Sequence, residues 1–219
     1  MAQTMFSALT VSSIVPIVGL IGFGIMRLVA GNKLTRVDYV CGCYAIMCMT
    51  IHFITDPFYL YNDRVRPFHV NETQPHPEQH FECWMAAVRD IWRSVGETDT
   101  RIYQDQFQPF FRTFVFAALF GSSFFSFFTF LGYVMTKKWA FAFQIAMSVW
   151  QFSGTYSFVW PEYWNGFRNI KNMQTFALIH LPIIIMTIFC FVVAVVRINR
   201  GDGFAKVNEG GKFNPKKRQ

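Results

Sequence analysis

Charge is scarce in this chain: only 15% of its 219 residues are Asp, Glu, Lys or Arg, against 53% hydrophobic and 19% aromatic. So little charge argues against an ordinary soluble domain. A cysteine framework is lacking as well. Of the five cysteines, Cys41, Cys43, Cys48 and Cys190 fall in apolar runs and Cys83 stands alone. That pattern suggests neither disulfides nor a metal site, and the four read as small core residues. No metal or other cofactor is expected. There is no internal repeat, and no low-complexity tract beyond a Phe-rich run near residues 110 to 130. The first apolar segment lacks a basic stretch before it and carries its charge after it, so it reads as a retained anchor rather than a cleaved signal peptide.

What is present is a series of long apolar segments, near residues 6–30, 37–61, 107–135, 139–160 and 174–198. A hydrocarbon core of ~30 Å needs about 20 apolar residues per helix. The expected fold is an all-α integral membrane protein, five transmembrane helices in a bundle with one long loop at 62–106. Residues 1–36 form an anchor helix and short loop, 37–200 a four-helix membrane domain, and 201–219 a basic tail. Arg27, Lys33 and Arg36, then Lys137 and Lys138, then Arg197, Arg200 and the lysines of the tail mark three regions that belong on the cytoplasmic side. The N-terminus and the long loop are then lumenal. The net charge of +7 is mostly this topology signal. Its positives cluster at membrane borders instead of forming a patch with interleaved aromatics, so nucleic acid is not an expected partner. Asn71-Glu72-Thr73 is a glycosylation sequon in the loop. Lys216-Lys217-Arg218-Gln219 resembles a dilysine retrieval signal, which suggests the endoplasmic reticulum membrane.

Polar residues inside such spans are costly and mark function by default. His52 and Asp56 are four residues apart and share one helical face. At 1.5 Å per residue, Asp56 and Arg112 each lie roughly 8 Å from the lumenal end of their helices. His180 lies at a similar depth, and Gln151 and Thr155 somewhat deeper. Together they are expected to line a cavity in the lumenal half. Two plainer readings stand beside this one: Asp56 and Arg112 neutralise each other, and His180 is a packing residue. Gly19, Gly22 and Gly24 allow close approach of the first helix, with Pro16 a site for a kink. Most of the Phe-rich third span is expected to face lipid.

Several motifs resemble those of the emopamil-binding protein family, the endoplasmic reticulum sterol isomerases, and more broadly the EXPERA domain shared with the sigma-2 receptor. His52-x3-Asp56 is similar to the family's His-x3-Glu. Trp92-Arg93 followed by Asp99-Thr100-Arg101 is similar to its loop pattern, and Asp105-Gln106-Phe107 opens the third span. Gln144 to Glu162 resembles its fourth span, with Ser148, Val149, Gln151 and Gly154 as the Ser-Val-x-Gln-x-x-Gly core. The likeness covers roughly residues 8–200.

The resemblance implies a sterol or related lipid as ligand, and a delta-8 to delta-7 double-bond shift through a carbocation. His52 and Asp56 would be the catalytic pair. Tyr59 and Trp150 would stabilise positive charge, and Trp92, Asp99 and Arg101 would belong to the ligand-binding set. The chain also departs from the pattern. Arg112 stands where the family's second acid falls, Thr155 replaces the acid after the fourth-span glycine, and Thr175 and Leu178 replace an Asn and a Trp. Two like charges ~5 Å apart at an effective dielectric of ~20 cost about 3 kcal/mol, roughly a hundredfold in rate. Three readings follow: a sterol isomerase, a catalytically inactive sterol or amphiphile receptor or chaperone, or a structural subunit of a membrane complex. Homodimerisation or a membrane-complex partner is compatible with each.

Overall fold

The computed structural model describes residues 2–61, 95–96, 98–103, 108–201 and 204. Side chains are described from residue 16 onward, apart from 55, 57–61, 103 and 108. Five long helices occur among these residues. They are α1 (Ala2–Ala30), α2 (Arg36–Tyr61), α3 (108–134), α4 (Trp139–Trp164) and α5 (Met173–Asn199). Helix α3 runs as Gln108–Ala117, a π-helical turn Ala118–Ser122, and Ser123–Val134. The only β pairing among the described residues is a single bridge between Asp99 and Ile170.

Local chemistry explains the ends of these helices. The α2 start is a reciprocal cap. The Thr35 backbone N–H and hydroxyl donate to Asp38 Oδ2, both at 2.8 Å, and the Asp38 N–H returns to Thr35 Oγ1 at 3.3 Å. Asn172 caps α5 by accepting from the Thr175 N–H at 3.0 Å. After α4 the chain reverses through Gly166 and Phe167, at φ +65° and +56°. The Phe167 N–H reaches back to the Glu162 carbonyl at 2.7 Å.

Among the described residues, three stretches are long and apolar enough to cross a membrane: Arg36–Ile54, Pro109–Val134 and Met173–Asn199. Helix α4 has the length but carries Gln144, Ser148, Gln151, Thr155 and Glu162 on its buried side, which lowers its mean hydropathy. The described side chains of α1 begin only at Pro16.

Successive helices pack antiparallel, α1 on α2, α2 on α3, α3 on α4 and α4 on α5. Gly22 permits the first of these approaches, since a Cβ there would stand 2.7 Å from Ile46. Gly19 abuts Met47 in the same way, whereas Gly24 faces open space. On α3 the Phe-rich sequence divides by face. Phe116, Phe120 and Phe124 are exposed while Phe111 and Phe130 are buried. The core gathers where Arg27, Lys33, Lys137 and Arg197 cluster, termed here the basic end. It is built on Met26, Cys41, Ala45, Tyr133, Phe141, Met147 and Cys190. The opposite end, where residues 98–101 meet 169–171, is the loop end.

Candidate functional site

In the half of the bundle nearer the loop end lies a cavity of about 330 Å³. Its walls are mainly apolar, with Phe114, Val115, Phe158, Ile179 and Ile183 among them. A single polar rail runs along one side. His52 Nδ1 lies 2.8 Å from Asp56 Oδ2, and Asp56 is only 4% exposed. On the far side of the ring, His52 Nε2 lies 3.1 Å from Gln151 Nε2. The same amide nitrogen donates to Ser122 Oγ. Asp56, His52, Gln151 and Ser122 thus form one hydrogen-bonded line across α2, α4 and α3, all four bordering the cavity.

The form of the ring is tied to the orientation of the Gln151 amide. With Gln151 donating to Nε2, that nitrogen carries the lone pair and Nδ1–H donates to the carboxylate. An imidazolium fits equally well if the Gln151 amide turns over. Its oxygen then accepts from Nε2–H and from the Ser122 hydroxyl.

Two sequence-local features aim these groups. Their i, i+4 spacing brings His52 and Asp56 onto one face of α2. The π turn at Ala118–Ser122 adds a residue to one turn of α3, and both Ala118 and Ser122 border the cavity. Such turns recur at functional sites. Trp150 closes one side by lying across Gly121, where a Cβ would meet its ring at 2.5 Å.

The loop end is locked by charge. Arg101, 3% exposed, donates Nε to Asp99 Oδ1 at 2.9 Å and Nη2 to Asp99 Oδ2 at 2.6 Å. The same guanidinium reaches Glu162 Oε1 at 3.3 Å and the Phe158 carbonyl at 2.9 Å. It also sits about 6 Å from the ring centres of Phe111 and Phe158. Glu162 in turn accepts from Asn169 Nδ2 at 2.9 Å, while the Thr100 N–H and hydroxyl donate to the Asn169 carbonyl, each at 3.0 Å. This cluster backs the cavity wall, because Phe158 stands between it and His180, whose ring stacks on Phe158 and packs at a tilt against Phe176.

Of the residues singled out from sequence, His52, Asp56, Trp150, Gln151, Thr155 and His180 border the cavity together. Asp99 and Arg101 lie outside its lining and bind each other. Arg112, half-buried, is not a lining residue either. Depth along a helix says nothing about which way a residue faces. The side chain of Tyr59, and Trp92 and Asn71 altogether, lie outside the described residues. Sequence reasoning missed Ser122 as a member of the rail and Glu162 as a member of the lock. The polar spacing Ser122, Ser126, Thr129 within a Phe-rich run was an available signal for the first.

Among its described residues the molecule is therefore helical, with three helices long and apolar enough to cross a membrane and an apolar cavity bordered by the His52–Asp56 pair. It matches no known family model and no curated protein.

Proposed function

We propose that this chain is a multipass integral membrane protein, its five long helices spanning the bilayer, that takes a sterol or related flat lipid into the cavity at the loop end and moves a proton on it. One observation carries the reading: a cavity of about 330 Å³ with apolar walls offers a single buried polar rail, with His52 at its centre. The volume falls in the range of ligand pockets, and an ionisable pair buried in a membrane span calls for a use. The basic end is cytoplasmic in this reading and the loop end lumenal, as the Lys and Arg distribution supports. The tail lysines support residence in the endoplasmic reticulum.

The chemistry needs no cofactor. Imidazolium at His52 gives its Nε2 proton to one alkene carbon, whose π electrons form the new C–H bond and leave a tertiary carbocation. The Nε2 lone pair of the now neutral His52 takes a proton from the carbon on the other side of the cation, the electrons of that C–H bond become the new double bond, and the imidazolium is restored. Asp56 holds the charged ring, the Trp150 face borders the cation, and the apolar walls exclude water. Arg112, set outside the lining, does not add a like charge beside the cation. The test is to incubate membranes carrying the protein with a delta-8 sterol and resolve the products by chromatography and mass spectrometry. A delta-7 product that disappears in His52→Ala is expected.

A second reading has its own support. Both imidazole nitrogens are engaged, one by Asp56 and one by Gln151, an arrangement suited to a binding wall as well as to a proton donor. Saturable binding of labelled sterol with no product would favour a catalytically silent receptor or chaperone. Neither binding nor product would sink both readings and leave the polar residues as helix contacts.

A further inference from the structure

Three hydroxyls midway through the bundle stand apart from the other buried side-chain polar atoms described. The Oγ atoms of Ser123, Ser126 and Ser148 are buried, each with less than 1 Å² of exposed surface, and have no hydrogen-bond partner among the described residues. A helical hydroxyl away from water has a ready outlet in the carbonyl four residues back. Thr50, Thr129 and Ser157 all use it, each at 2.8 Å. The three serines do not.

Their placement is fixed by neighbours that are bonded. Helices α3 and α4 are pinned in antiparallel register at two points, Tyr133 to Gln144 and Ser122 to Gln151. Between those points the register sets Ser126 opposite Ser148. Ser123 lies three residues from Ser126 and so shares its side of α3. The hydroxyls therefore occupy the interval between two buried glutamines. One of these, Gln151, belongs to the cavity rail. The other, Gln144, binds Tyr133 and gives its amide to the Cys190 carbonyl at 2.6 Å.

We propose that Ser123, Ser126 and Ser148 form a buried water-binding site, with ordered water bridging α3 to α4 between the two glutamines. A buried water takes two to four polar partners, and the three buried hydroxyls supply them. The ligand completes a hydrogen-bonded line from Asp56 through His52, Gln151 and the serine site to Gln144 and Tyr133, joining the cavity to the basic end. Ser148 also borders an outer groove of about 280 Å³ between α4 and α5. The other groove walls, Val149, Phe152, Ile188 and Phe191 among them, are mainly apolar and suit a lipid chain, which has no group for a hydroxyl. This inference does not depend on the identity of the lipid in the cavity.

The sign of a stability change tests it. Full-length protein in lipid nanodiscs is melted as wild type, Ser126→Ala, Ser148→Ala and the double variant, with Ser157→Ala as an outward-facing control. Where a bridging water is bound, each single change strips it of a partner and Tm falls by about 2–4 °C. The double variant then falls by less than the sum, because both serines hold the same water. Where the hydroxyls are dry, alanine removes an unpaired buried group, and Tm holds or rises. A rise, no change, or strictly additive losses would overturn the proposal.

Discussion

The two ends of the bundle use the same kinds of polar residue to opposite effect. At the basic end the described groups bind one another across helices. Tyr44 meets Thr187 at 3.0 Å and Tyr133 meets Gln144, which also holds the Cys190 carbonyl. Arg197 bridges to Asp38 at 3.1 Å. Toward the loop end, Asp56, His52, Gln151 and Ser122 are bonded just as continuously, but along the edge of a cavity. The difference lies in α5. At the basic end it donates or accepts in three of these contacts, whereas beside the cavity it presents Ile179, His180 and Ile183 as a wall. Polar residues in an apolar helix do not announce whether they are glue or site. The absence of a bonding helix opposite them decides it.

The comparison breaks most visibly at Arg101. Replacing it with alanine leaves two buried carboxylates facing each other, an expected loss of about 3–5 kcal/mol, read as a large fall in Tm in nanodiscs. A loss below about 1 kcal/mol would show that the cluster is wet and behaves as a surface pair. Next come the two glutamines as a matched pair. Gln144→Leu orphans the Tyr133 hydroxyl and the Cys190 carbonyl, costing about 2–4 kcal/mol with ligand affinity unchanged. Gln151→Leu should cost only about 1 kcal/mol but weaken sterol binding or turnover about tenfold, as loss of one oriented bond would. If the two variants show the same profile, the ends are not functionally distinct. The smallest effect belongs to Tyr44→Phe, which removes one buried bond to Thr187 and should cost about 1 kcal/mol with no change in binding.

Much of this was legible in the chain. Hydropathy placed all five helices to within a few residues, because long apolar runs bounded by Lys and Arg leave little freedom about where a helix ends. The i, i+4 pairing of His52 with Asp56 was legible for the same geometric reason. Arg112 was not, since its depth was readable but its azimuth was not. Phe111, one residue earlier, is the side chain turned fully inward. Asp99 and Arg101 looked like ligand contacts, yet they serve each other and Glu162, a partner more than fifty residues away that no local pattern reveals. Ser122 escaped notice because a π turn has no composition of its own.

That π turn confines one extra residue of α3 to the edge of the cavity. One residue deleted between 118 and 122 would restore regular helix there and leave the residues on either side on nearly their present faces, because the widened turn already holds the extra residue. Phe114 and Val115 would stay on the cavity wall, and the change would fall on the turn that carries Ala118 and Ser122. The result would be a protein that still folds, with the Ser122 end of its polar rail shifted by the loss of a single codon.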